Sequence, residues 1–303
     1  MNNSLSRYLK LLNLFFTVFF VSNTVFAEED LVLNIYTVNY PLKFFAESIA
    51  GEHATVKLPM PADIDPAFWT PKAEQVLDLQ SADLILINGA NYAKWLPTVS
   101  LPIFKLINTS SEFKDAYIDI KSAVKHKHGS GDEHSHIGTA FTTWLDFNLA
   151  SQQAKAIFKA LSNKKPRLNS KFVKNFITLE QSLSDLDVEL TKIGASLEGK
   201  ALLGSHPVYQ YLKKRYQLNL KSVHWEPEET PSESQWEDLK QLLQTHPAQW
   251  MLWEAEPATA TVRKLESMGI KSIVFNPCAN IPHSGDFLTV MRENIKALKT
   301  TLN

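Results

Sequence analysis

The most constraining feature of this chain is one long apolar stripe near its middle. Phe172, Phe176, Leu179, Leu183, Leu186, Leu190 and Ile193 recur at spacings of three and four residues. That spacing puts all seven on one face of a single helix, which starts after Pro166 and ends at Gly194 or Gly199. At a rise of 1.5 Å per residue, ~25 residues reach almost 40 Å, more than one small domain needs. The stripe predicts a strut that both halves of the molecule pack against.

On either side of the strut the pattern alternates between strand and helix. Before it, strands are expected at Leu31 to Val38, Val56 to Met60 and Leu84 to Ile87. Helices are expected at Pro41 to Ile49, Pro71 to Ala82 and Leu149 to Leu161. After it, strands are expected at Ala201 to Gly204, Leu220 to Val223, Trp250 to Trp253 and Ile270 to Phe275. Helices are expected at Val208 to Tyr216, Glu233 to Gln244, Ala258 to Met268 and Phe287 to Leu298. Strand–helix alternation implies parallel sheets covered by helices, so the expected class is α/β, with two lobes bridged by one long helix. The expected bounds are 28–165 for the first lobe, 166–199 for the bridge and 200–303 for the second.

The first 27 residues stand apart. Arg7 and Lys10 precede the apolar run from Leu11 to Val21, and a small, polar stretch ends on Val25-Phe26-Ala27. This is the layout of a secretory signal peptide (residues 1–27) cleaved after Ala27. The apolar run falls short of the ~20 residues that span a bilayer. A periplasmic location is the expectation, and no cysteine follows the cleavage point to carry a lipid. The chain holds 31 Lys and Arg against 32 Asp and Glu. Segment 1–27 takes two of the bases and none of the acids, so the remainder is more acidic still. That balance argues against nucleic acid or an anionic membrane surface as partner.

Histidines and acids supply the candidate binding chemistry. Between Val124 and Gly138 the periodicity stops, and the loop carries His126, His128, His134 and His136, whose imidazoles suit zinc, copper or nickel. His206 and Glu254 each follow an expected buried strand, at the sheet edge where open α/β folds place their ligands. Alone, His206 reads first as a loop histidine bonding a backbone carbonyl, and only second as a ligand. Glu254 is a metal ligand, a carboxylate orienting an imidazole, or a cap for the helix near Ala258. His224 also follows a strand and reads as ligand or structural residue. Cys278, the single cysteine, is a thiolate donor or a buried inert thiol. Asp65 is an oxygen donor or the turn former of Asp65-Pro66. Phe68, Trp69, Trp95, Trp144, Trp225 and Trp253 wall a cleft or pack in cores. No Gly-x-Ser-x-Gly, His-Glu-x-x-His or glycine-rich phosphate loop is present, and an enzyme is not expected.

Taken in order, several of these features resemble one family, the zinc- and manganese-binding solute receptors of bacterial ABC importers. They are Asp65-Pro66 before the Pro71 helix, Ser81-Ala82-Asp83-Leu84, the His-rich loop, and Trp144-Leu145-Asp146. They continue with the long helix, Ser205-His206-Pro207 before Tyr209 and Tyr211, Glu254, and Asn276-Pro277. The resemblance implies two α/β lobes with a metal in the cleft between them. It also implies a Zn2+ (or Mn2+) cargo, an inner-membrane ABC permease as partner, and a monomer. It makes His206 a ligand. The chain departs from the family pattern at Ala67 and Thr142, where histidine is expected, and at Asn276, where aspartate or another ligand is expected. His134 and His136, just before Thr142, then stand either as substitute donors supported by Glu254 or as a mobile metal collector. The alternatives are a receptor for a metal chelate or small organic ligand, or a metal buffer or sensor without transport.

Overall fold

A computed structural model describes residues 32–302, except residue 63 and, apart from the backbone of two short strands, residues 121–137. The first half runs β1 (Leu33–Thr37), α1 (Tyr40–Ala50), β2 (Ala54–Lys57), α2 (Ala73–Ser81), β3 (Leu84–Ile87) and β4 (Leu106–Asn108). These four strands form one parallel sheet in the order β2-β1-β3-β4. Two short antiparallel pairs follow. One joins β5 (Asp119–Ile120) to β8 (Gly138–Thr139), and the other joins β6 (Lys125–Lys127) to β7 (Glu133–Ser135). Then come α3 (Phe147–Lys164) and α4 (Asn169–Ser196). The second half runs β9 (Ala201–Gly204), α5 (Gln210–Arg215), β10 (Asn219–Ser222), α6 (Glu233–Thr245), β11 (Trp250–Trp253), α7 (Thr259–Ser267), β12 (Lys271–Val274) and α8 (Phe287–Lys299). Its sheet is also parallel, in the order β10-β9-β11-β12, so both lobes share one topology.

The strut is α4. Its 28 residues span about 42 Å, and all seven stripe residues are buried. That face packs against α1 and α3 of the first half and α8 of the second. Asn175 ties it to α1 by donating from Nδ2 to the Ile49 carbonyl at 3.0 Å. Gly194 is required where α4 meets the second lobe, because a Cβ there would lie 2.2 Å from the Tyr216 carbonyl oxygen.

Where elements depart from expectation, backbone chemistry explains it. The second strand lies at Ala54–Lys57 rather than Val56 to Met60, since Pro59 has no N–H to give a ladder. The second helix starts at Ala73, two residues after Pro71, because Lys72 caps it, its N–H bonded to Gln75 Oε1 at 2.8 Å. The helix expected from Val208 begins at Gln210. β4, at Leu106–Asn108, has no counterpart among the expected strands, because a strand of three residues carries no readable period.

Candidate metal centre

Three strands of the second sheet end side by side, and each releases one candidate ligand. β9 stops at Gly204, and Ser205 N–H still bonds to the Leu252 carbonyl at 2.8 Å before the chain turns at His206. The segment after β10 stays alongside it. Val223 N–H reaches the Gly204 carbonyl at 2.9 Å, and Trp225 N–H reaches that of Ser205 at 2.7 Å. This continuation carries Glu226 up to His206. β11 ends at Trp253 and presents Glu254. A nitrogen of His206 and an oxygen each of Glu226 and Glu254 therefore lie within 4.8 Å of one another. His206 is buried, and its Nδ1 is 3.3 Å from Glu226 Oε1. One imidazole and two carboxylates at this spacing form a donor set for a divalent transition ion.

These groups open into a cavity of about 380 Å³ between the lobes. Asp65, Phe68, Tyr92 and Thr142 face it from the first half. The cavity is spanned by backbone-directed bonds between the halves. Thr142 Oγ1 donates to the Val208 carbonyl at 2.5 Å, Trp144 Nε1 to that of Pro277 at 2.7 Å, and Tyr211 Oη to that of Ala140 at 3.0 Å. Asn280 Nδ2 bonds to the Pro61 and Ile64 carbonyls at 2.7 and 2.8 Å. Thr142, where the resemblance leads one to expect histidine, thus serves as a tie between halves. Behind it, buried Asn88 donates to the Phe141 carbonyl at 2.9 Å and so fixes the segment that bears Thr142.

Burial dominates the electrostatics around the cavity. It holds the Tyr92 and Tyr209 hydroxyls well above the ordinary phenol value, with the charge of Asp65 adding to the first and that of Glu254 to the second. Tyr209 Oη donates to the Phe275 carbonyl at 2.9 Å. The His224 imidazole is pushed down, mainly by burial and then by His206, against the opposing pull of Glu226.

The structure brings some expected residues together and leaves others apart. His206 and Glu254 meet, and Ala258 rather than Glu254 occupies the cap position of α7. Glu226 carries no comparable mark in the sequence, since it lies four residues past the end of β10 at Ser222, whereas Glu254 directly follows β11. His224 lies edge-on to His206, ring centroids 6.2 Å apart, and is not one of the three clustered groups. Asp65 lines the opposite wall, where its Oδ1 accepts the Ala67 N–H at 2.9 Å, and it too is outside the cluster. Cys278 is buried and does not line the cavity, and burial pushes its thiol up to about 12. Asn276, at the fourth expected position, lines the cavity, but its Oδ1 accepts the Cys278 N–H at 2.7 Å. Phe68 and Trp144 reach the cavity wall, while Trp69, Trp95, Trp225 and Trp253 pack in cores. The side chains of His126, His128, His134 and His136 lie outside the described residues.

With this geometry in place, comparison with known proteins decides the family. Residues 35–301 match the family described as ZnuA, zinc-uptake complex component A, periplasmic. The chain belongs to the ZnuA family. Among curated ZnuA relatives, the zinc-binding lipoprotein AdcA of Streptococcus pneumoniae is 25% identical over 285 residues, covering 90% of this chain and 56% of AdcA. The chain therefore spans about half the length of that relative. The high-affinity zinc uptake system protein ZnuA of Bacillus subtilis is 24% identical over 286 residues, covering 89% of this chain and 88% of its own length. The metal-dependent lipoprotein YcdH of Bacillus subtilis has the same fold, with a TM-score of 0.76 at 22% identity over 89% of this chain and 100% of that one. The Zn(II)-bound ZnuA-like domain of Streptococcus pneumoniae AdcA follows at 0.74, 22% identical over 89% of this chain and 98% of that domain. The two-lobed α/β class expected from the sequence is the observed one. Among the described residues no helix is long and apolar enough to cross a membrane.

Proposed function

We propose that this chain is the periplasmic metal receptor of an ABC-type importer, exported by cleavage after Ala27. It binds a divalent transition ion, zinc foremost and manganese second, and passes it as a monomer to an inner-membrane permease. His206, Glu226 and Glu254 hold the ion. The observation that carries this reading is their convergence within 4.8 Å at one sheet edge facing the interlobe cavity. One nitrogen and two oxygens give zinc three protein donors and leave one position open. An oxygen-rich set also accommodates manganese, and the relatives include a manganese transporter lipoprotein, PsaA of Streptococcus pneumoniae, 27% identical over 224 residues. His126, His128, His134 and His136 belong to the same reading, as additional metal donors or as a collector of ions.

Calorimetric titration of the metal-free protein with zinc and manganese tests it. The expected result is one tight site that His206→Ala and Glu226→Ala each weaken at least ten-fold. Several weak sites that survive both substitutions but vanish on deletion of residues 124–138 would reduce the chain to a buffer. No metal response would end the proposal.

A further inference from the structure

A bare ion does not account for the cavity above the three ligands. A single water needs roughly 10–15 Å³ of such space, whereas this cavity offers about 380 Å³, within the range of small-molecule sites, roughly 300–1,000 Å³. All three clustered donors come from the second lobe. The facing wall is aromatic, built from Phe68, Phe141, Tyr92 and Trp144. Tyr92 packs edge-on against Phe141 and Trp144, with centroid separations of 5.2 and 5.6 Å. Its side chain is 1% exposed, yet its hydroxyl finds no hydrogen-bond partner among the described residues. A buried phenol left unpaired is destabilising, and a polar atom brought in by a ligand would remove that cost.

Charge narrows the kind of ligand. Asp65, Glu226, Glu228 and Glu254 line the cavity, and no Lys or Arg does so among the described residues. A divalent ion balances Glu226 and Glu254 and leaves the other two acids facing the remaining space. That space repels an anionic chelator such as citrate. It suits a nitrogen donor that carries N–H groups and no net negative charge when free, flat enough to lie against aromatic rings.

Resting on the metal-receptor reading above, we infer that the cleft takes its ion together with a small nitrogen-donor co-ligand of the imidazole-bearing amino-acid class. The co-ligand's nitrogen fills the position left open by His206, Glu226 and Glu254. Its body lies along the half-buried rings of Phe68 and Phe141, and a polar atom meets the Tyr92 hydroxyl.

Equilibrium dialysis of the metal-free protein with radiolabelled L-histidine tests the inference, with and without equimolar zinc. A parallel arm replaces histidine with labelled citrate. Near-stoichiometric histidine retention that requires zinc is expected, with citrate retention at least ten-fold lower. Tyr92→Phe is expected to cut histidine retention about ten-fold at matched zinc occupancy. Zinc bound one-to-one with no histidine retained overturns the co-ligand and leaves the metal site standing. So do histidine retained without zinc, and citrate retained as well as histidine. Absence of zinc uptake in every arm refutes instead the metal reading on which the inference rests.

Discussion

Glu254→Gln removes one of two like charges that converge on the candidate centre, so it should move stability and affinity in opposite directions. The clustered oxygens of Glu226 and Glu254 and the His206 nitrogen lie within 4.8 Å of one another. At that separation, two unit charges at an effective dielectric of ~20 repel by about 3.5 kcal/mol. The His206 imidazole beside Glu226 and the partial exposure of Glu254 lower the net figure to about 1–2 kcal/mol. At about 2–4 °C per kcal/mol for a chain of this size, the metal-free variant should melt about 2–8 °C above the unsubstituted protein. Zinc erodes that advantage. At a hundred-fold excess over Kd it stabilises the native protein by about 2.7 kcal/mol, roughly 5–10 °C. Loss of an ionic donor that weakens binding by about 10–100-fold cuts that gain, at the same zinc concentration, to roughly 0.4–1.4 kcal/mol. Calorimetric melting of both proteins, metal-free and zinc-loaded, reads all four quantities. A metal-free variant that melts lower, with an undiminished zinc shift, would refute the reasoning.

Other expectations follow from named contacts away from the centre. Asp187 on α4 accepts Arg215 Nε at 3.0 Å, the Arg215 terminal nitrogen at 2.6 Å and Tyr216 Oη at 2.9 Å. Discounted for the exposure of Arg215, Asp187→Asn should cost about 1–2 kcal/mol, read as a lower urea midpoint with unchanged zinc affinity. Gly194→Ala should cost more than the usual helix glycine exchange gains, by about 1–3 kcal/mol, since its methyl must displace the Tyr216 carbonyl; an equally stable variant would contradict the packing. Burial, and then Asp286, holds the Cys278 thiol at about 12 against an unperturbed 9.0. At pH 8 the native protein should therefore alkylate with iodoacetamide roughly a thousand-fold more slowly than the urea-unfolded chain. The same shift has a sign for stability: its contribution is complete below about pH 9, the unfolded value, and is lost as pH rises toward 12.

How much of this was legible depended on whether the signal was local. The stripe from Phe172 to Ile193 encodes its helix through repeat spacing alone, and Leu84–Ile87 and Trp250–Trp253 encode buried strands through unbroken apolar runs. His206 and Glu254 could be flagged because a residue just past a buried strand sits at a sheet edge whatever its neighbours are. Glu226 could not be preferred over His224 on that basis. Both follow the same strand, and only the path of the backbone beside Gly204 and Ser205 brings the carboxylate to His206.

The sequence by itself thus determined a pair of parallel α/β halves around one strut, and the residue types available at their edges. Period and composition act over a few residues, and those properties need nothing longer. Tertiary structure decided which edges meet. The order β10-β9-β11 sets three sequence-distant residues side by side, and the bonds from Thr142, Trp144 and Asn280 hold the aromatic wall across from them. Strand order and lobe contact are fixed by long-range burial and hydrogen bonding, which leave no periodic mark in the chain. That is why the candidate metal centre, expected from His206, Glu254 and the loop histidines, gains Glu226 only in the folded molecule.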